Sequence, residues 1–254
     1  MIFVKSSIKE DDPNMNIIET KHLTKGSGAA MRVSDLDLAV PEGCVYGFLG
    51  PNGAGKTTTL KLLLGLLKPT DGTITFFGQK MTEQNRLSIL SHTGSLIENP
   101  SYYGHLTGLE NLQIIAKLKK VPAAEIEKVL NTVRLYEQKD KKVKQYSLGM
   151  KQRLGIAMAL LGNPRVLILD EPTNGLDPAG IQEMREFIKD LPVTHQMTVI
   201  VSSHLLSEVE QMADMVGIIH HGRLVFQGTM ATLEAQGDGL EEVFLKLTEG
   251  GESL

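Results

Sequence analysis

The sequence predicts an α/β fold built on a mainly parallel sheet, and three observations carry that prediction. Runs rich in β-branched and aromatic residues alternate with stretches whose apolar residues recur every three or four positions. One such run, CVYGFL, leads into a glycine-rich turn and then the helical pattern TTTLKLLLGLL. Another, VLIL, ends abruptly in two carboxylates, Asp170 and Glu171. Buried runs that end in glycine or in paired acids belong to strands whose C-termini face a ligand crevice.

Taken in order, strands are predicted near 17–23, 33–39, 44–49, 73–77 and 92–97, then 165–170, 197–202, 215–220 and 223–227, each bounded by turn residues. Helices are predicted over 56–67, 178–190 and 205–213. Residues 98–164 break the alternation, with helical patterns near 107–119, 123–134 and 149–161 and no strong strand, so they read as a helical subdomain set into the α/β core. The division expected is a loose extension over 1–15, a discontinuous core of 16–97 and 165–228, the helical subdomain over 98–164, and a helical tail over 229–254. The tail carries GLEEVFLKL, with Leu240, Val243, Phe244 and Leu247 on one side, a stripe suited to packing on its own core or to docking on a partner.

Composition removes several classes of function. The 254 residues are enough to bury a core, and 41% apolar with 22% charged is ordinary for a soluble globule. Lys and Arg number 26 against 30 Asp and Glu, a net charge of −4, so no basic field is available to hold nucleic acid. No apolar stretch approaches the roughly 20 residues a membrane span needs. Residues 1–14 lack the pattern of a secretory signal. The single cysteine, Cys44, lies in an apolar strand and suits a reducing compartment.

GPNGAGKT, Gly50 to Thr57, has the strand–loop–helix context of a phosphate loop. Gly50, Gly53 and Gly55 let the backbone wrap an anion, with Pro51, Asn52 and Ala54 between them, and the helix N-terminus adds about half a positive charge. Lys56 is placed to reach the β- and γ-phosphates and the Thr57 hydroxyl to ligand Mg²⁺. At the acidic strand end Asp170 is the expected Mg²⁺ partner and Glu171 the expected general base for water. YSLGM, with Ser147, Leu148, Gly149 and Met150, opens a helix and so presents a second anion-binding terminus, or a plain N-cap.

These segments together resemble the nucleotide-binding subunit of ATP-binding cassette (ABC) transporters, from about residue 17 to about residue 230. The resemblance implies a RecA-like P-loop NTPase core with a parallel sheet, an antiparallel β subdomain and an inserted helical signature subdomain. It implies an ATPase that uses Mg²⁺, forms a head-to-tail homodimer around two ATP molecules, and drives separate membrane permease subunits. The protein would then sit peripherally on the cytoplasmic side of the cell membrane, in a Gram-positive bacterium. Thr58 would donate to the α-phosphate, Ser147 to Met150 would complete the site of the opposite copy, Asp177 of NGLDP would lie in the D-loop, and His204 would contact the γ-phosphate.

Departures from the family pattern narrow the branch. Ser27 falls where most members have an aromatic residue on adenine, which implies similar use of ATP and GTP. Glu98 stands where most have the Q-loop glutamine, as a further metal-site residue, and SLIENPSYYGHLT resembles the ATPases of bacitracin and lantibiotic immunity transporters. Leu148 and Met150 replace a glycine and the glutamine of LSGGQ, as in bacterial export and peptide-resistance ATPases. Tyr102, Tyr103 and His105 suit either permease docking or local packing. Other multidrug exporters remain an alternative; a soluble ABC ATPase on DNA or ribosomes fits less well, and a silent regulatory module conflicts with Lys56, Asp170, Glu171 and His204.

Overall fold

A computed structural model describes residues 16–26, 31–236 and 239–248. The N-terminal extension and Ser27 lie outside the described residues. Two sheets organise the rest. The larger is ordered β11-β10-β4-β9-β8-β7, formed by β4 (Val45–Leu49), β7 (Thr93–Leu96), β8 (Val166–Asp170), β9 (Thr198–Ser203), β10 (Met215–His220) and β11 (Arg223–Thr229). All neighbours in it pair in parallel except β10 with β11. The smaller sheet is antiparallel and comprises β1 (Asn16–Lys25), β2 (Val33–Leu36), β3 (Ala39–Pro41), β5 (Asp71–Phe76) and β6 (Gln79–Lys80).

Every residue of β4, β8 and β9 is buried, which is why these strands read as unbroken apolar runs. Their side chains still alternate between two cores. Leu167 and Leu169 of β8 face the helical side, with α3 (Gly108–Lys119), α4 (Ala124–Thr132), α5 (Leu148–Leu160) and α6 (Pro178–His195). Val166 and Ile168 face the antiparallel sheet and α1 (Lys56–Leu63). A third cluster joins α7 (Leu206–Met212) to the C-terminal helices α8 (Met230–Gln236) and α9 (Leu240–Thr248), with Val243, Phe244 and Leu247 packed onto Leu49, Val209 and Ile218. The apolar stripe of the tail is thus spent on its own chain.

Element limits shift where local chemistry overrides the pattern. The run expected as one strand over 33–39 is two, β2 and β3, because the Thr20 hydroxyl inserts between them, donating to the Leu36 carbonyl at 2.7 Å and accepting from Leu38 N–H at 2.8 Å. α1 stops at Leu63 rather than 67, followed by Gly65 in the left-handed region at φ +61°. α6 continues through Pro192 to His195, since that proline falls near the end, and Gln196 at φ +51° closes the helix. α2 (Arg86–Leu90), β6 and α8 are too short to give a periodic signal.

The turn between β10 and β11 locks onto the loop after β4. Gly222 donates to the Ala54 carbonyl at 2.8 Å, and its own carbonyl accepts from Ser34 N–H at 2.8 Å. At φ +77°, a Cβ on Gly222 would lie 2.8 Å from the Arg32 carbonyl oxygen. Gly222→Ala should therefore lower stability by roughly 1–3 kcal/mol, strain and a backbone clash adding together; an unchanged melting temperature would show the turn to be more pliable than this.

Candidate functional site

The C-terminal ends of β4, β9 and β8 open on a cavity of about 520 Å³. Asn52, Gly53, Gly55, Lys56, Thr57 and Thr58 line one wall, and Glu171, Asn174, His204 and Arg32 line the rest. Gly55, at φ +113°, is the N-cap of α1 and supplies no side-chain cap, so the N–H groups of the first turn remain available to an anion. Gly50, Pro51 and Ala54 form the frame of the loop: Ala54 N–H donates to the Pro51 carbonyl at 3.1 Å, and Gly50 N–H to the Ser203 carbonyl at 3.3 Å. Gly50 packs so tightly on Ile219 that a side chain there would strike its carbonyl.

Lys56 is only 6% exposed, and its ammonium is held by the Gly50 carbonyl at 2.6 Å, the Pro51 carbonyl at 3.3 Å and Glu171 Oε1 at 3.3 Å. A phosphate would replace weak carbonyl partners and a shared carboxylate with a full charge-assisted contact. Asp170 has both oxygens engaged, Oδ2 by the Thr57 hydroxyl at 2.9 Å and Oδ1 by the Ser202 hydroxyl at 2.6 Å. That hydroxyl–carboxylate pair offers the oxygen ligands a hard divalent cation prefers, so Thr57 and Asp170 fit Mg²⁺.

Glu171 lies just past the end of β8 in the left-handed region, φ +49°, unusual for a residue with a Cβ. It is held there from both sides. Its N–H faces the Ser202 carbonyl at 3.2 Å and the Ser202 hydroxyl at 3.0 Å, and its Oε2 meets His204 Nδ1 at 2.7 Å. An ionised carboxylate can only accept, so Nδ1 is the protonated nitrogen of His204 in this pair. The backbone turn thereby aims the carboxylate of Glu171 into the cavity between Lys56 and His204.

The signature residues lie elsewhere. Ser147 caps α5, its hydroxyl accepting from Met150 N–H at 3.2 Å, and Asp177 caps α6, accepting from Gly180 N–H at 3.2 Å. Ser147, Leu148, Gly149 and Met150 share a second cavity with Asp177, and among the described residues none lines both this cavity and the first. A Cβ on Gly149 would meet nothing closer than Leu176 at 3.7 Å, so packing within the chain does not demand glycine there. Glu98, at φ +61° and 62% exposed, lies outside the lining of the first cavity, its carboxylate 2.6 Å from Lys61 of α1. Tyr102 packs against the helical core, while Tyr103 is exposed with His105 edge-on at 6.1 Å.

Four residues at or beside the site escaped the sequence reading. Arg32 lines the cavity without belonging to any motif, and Asn174 lines it as the first residue of NGLDP, a segment in which only Asp177 carries a predicted role. Ser202 was readable only as the end of an apolar strand, although a parallel pairing of β8 with β9 places it opposite Asp170. Glu208 of α7, 3% exposed, accepts from Thr173 at 2.7 Å and Ser203 at 2.9 Å, tying the segment after Glu171 to the one before His204. Cys44, by contrast, has no place in the chemistry: burial, with Asp214 nearby, pushes its thiol up to about 12.

Fold and site together define a P-loop ATPase. The sequence matches the ABC transporter family over residues 33–174, more than half of the chain, and the protein belongs to that family as an ATPase subunit coupled to transport. It is 50% identical over 218 residues to the bacitracin transport ATP-binding protein BcrA of Enterococcus faecalis, covering 85% of this chain and 70% of that one. It is 42% identical over 231 residues to the lantibiotic transport ATP-binding protein SrtF of Streptococcus pyogenes, covering 90% and 96%. Among solved structures, the ATP-binding subunit of an ABC transporter superposes with a TM-score of 0.79 at 30% identity, covering 91% of this chain and 99% of that one.

Ser202→Ala removes the hydroxyl that bridges Asp170 and the Glu171 backbone. Steady-state phosphate release should show kcat reduced by roughly tenfold to a hundredfold, the scale of a small misplacement of reacting groups, with KM for ATP changed far less. An unaltered kcat would remove Ser202 from the site's support.

Proposed function

We propose that the chain is the ATP-hydrolysing subunit of a transporter that exports, or confers immunity to, bacitracin-like or lantibiotic peptides. The carrying observation is the placement of Glu171 between Lys56 and His204, at 3.3 and 2.7 Å. An incoming triphosphate competes for Lys56 and frees one carboxylate oxygen of Glu171 to take a proton from the attacking water. His204 holds the other oxygen, which keeps the base aimed. Gly50 to Gly55 cradle the phosphates, and Thr58 reaches the α-phosphate. Thr57 and Asp170 would hold Mg²⁺, which supplies charge neutralisation on the phosphate oxygens. Glu98 would join them only by giving up Lys61.

Two copies complete one another in this reading. Ser147 to Met150 and Asp177 form a cavity of their own, with Leu148 47% exposed at its edge, which suits docking against the phosphate of a second copy. An ATP-bound homodimer of that kind works on separate permease subunits. Among the described residues no helix is long and apolar enough to cross a membrane; the likeness to transport ATP-binding proteins supports a peripheral place on the cytoplasmic face, through those permeases. Tyr103 and His105 are exposed for such a contact, and a net charge of −4 gives no basis for nucleic acid as a partner. The peptide-antibiotic cargo follows from the names of the relatives and from the Glu98 segment; an exporter of other drugs is the alternative.

Glu171→Gln should cut ATPase activity by roughly 10²- to 10⁴-fold, the usual worth of a positioned base, while ATP is still bound and the dimer accumulates on size exclusion. A host lacking the wild-type chain should become sensitive to bacitracin or a lantibiotic, and the glutamine variant should not restore growth; unchanged sensitivity would redirect the cargo to other drugs. Glu98→Gln should keep ATPase activity within several-fold, because the carboxylate lies outside the cavity on Lys61 and the amide oxygen can still accept from that ammonium. Complete loss would mean that the negative charge itself is required.

A further inference from the structure

We infer that Arg32 is the base-facing residue of the nucleotide site, its guanidinium plane stacking on the purine ring. The inference rests on reading the first cavity as the nucleotide site, and sheet order gives the cavity a direction. The phosphate loop follows β4; His204 and Glu171 follow β9 and β8 on one side of it, whereas β10 and β11 lie on the other. The bond to be broken belongs beside Glu171, so the nucleoside end must extend towards β10.

Among the described lining residues, Arg32 stands on that side, its carbonyl against Gly222 of the turn between β10 and β11. Its backbone is fixed there by two glycines: Cβ atoms on Gly55 and Gly222 would lie 2.6 and 2.8 Å from the Arg32 carbonyl oxygen, and both residues have positive φ. Arg32 N–H also donates to the Lys25 carbonyl at 2.9 Å. Its side chain is exposed and, among the described residues, makes no hydrogen bond or ion pair. Among the described residues no Phe, Tyr or Trp lines the cavity, and the one imidazole in that lining, His204, stands at the opposite end on Glu171. A purine placed there therefore finds one planar face, the guanidinium, which stacks on either purine with little preference.

Titration calorimetry of the full chain with Mg-ATP, Mg-GTP and Mg-tripolyphosphate tests this, the last ligand carrying phosphates without a base. Arg32→Ala and Arg32→Lys should both raise the Kd for ATP and GTP by at least about fivefold, the low end of base stacking. Lysine keeps the charge and loses the plane. Arg32→Tyr should return the nucleotide Kd to within about twofold of wild type, and tripolyphosphate affinity should stay within about twofold throughout, which also shows that each variant is folded. Nucleotide affinity untouched by Arg32→Ala, full affinity in Arg32→Lys, or equal weakening of tripolyphosphate would each overturn the stacking role while leaving the nucleotide site intact. A wild-type chain that binds none of the three ligands overturns the site and, with it, this role.

Discussion

The parallel register of β4, β9 and β8 is the constraint on which the site depends. It sets Leu49 beside Ser203 and Ser202 beside Asp170, so the phosphate loop, His204 and the paired carboxylates leave the sheet at one edge. A slip of one residue would exchange the two faces of a strand, sending Leu167 and Leu169 into the antiparallel layer and turning Asp170 away from Thr57. Because both faces of these strands are buried against different neighbours, packing itself penalises the slip. The chemistry is thereby aligned by apolar side chains that never touch the ligand.

Charge is confined to the sheet edge at a cost that hydrogen bonds offset. Lys56, Asp170 and Glu208 are each under a tenth exposed, and burial of an unpaired charge would be prohibitive. Asp170 has both oxygens bonded and Lys56 has its carbonyls and Glu171, so each is held before any ligand arrives. Glu208 is the exception, since only Oε2 is satisfied and Oε1 has no partner among the described residues. Its bonds to Thr173 and Ser203 nonetheless bind the two segments that carry Glu171 and His204, which are adjacent in space but 33 residues apart in sequence.

What was legible in the sequence follows from how each feature is encoded. Fully buried strands such as β8 and β9 announce themselves as apolar runs, and the phosphate loop is contiguous, so its lysine and glycines can be read without a fold. Ser202 and Glu208 act through partners brought near by strand pairing and helix packing, and no spacing along the chain records that. Arg32 reaches the cavity only because Gly55 and Gly222 accept its backbone, a three-body contact among distant segments. The split of β2 from β3 likewise comes from a hydroxyl on another strand, Thr20. Glu98 was legible as a departure, but its position against Lys61 rather than in the cavity was not.

The position of Glu98 gives that departure a mechanical meaning. Its segment runs from β7 past Pro100, and Gly155 of α5 packs against it so closely that an added Cβ would lie 2.7 Å from Pro100 Cβ and 3.0 Å from Leu96 Cδ1. One turn of helix away, Ala159 presents its carbonyl to Gly94 of β7 at 2.5 Å from where a Cβ would stand. Between Leu96 and Pro100 the same segment is tied by Glu98 to Lys61, one turn into the helix that begins at Lys56. Close-packed contacts of this kind have little slack to absorb a shift. The Lys61–Glu98 pair and the contacts with α5 therefore meet in one short segment, between the helix that begins at Lys56 and the helix that Ser147 caps. Among the described residues the two cavities share no lining residue, yet one short segment touches the helices that begin at both.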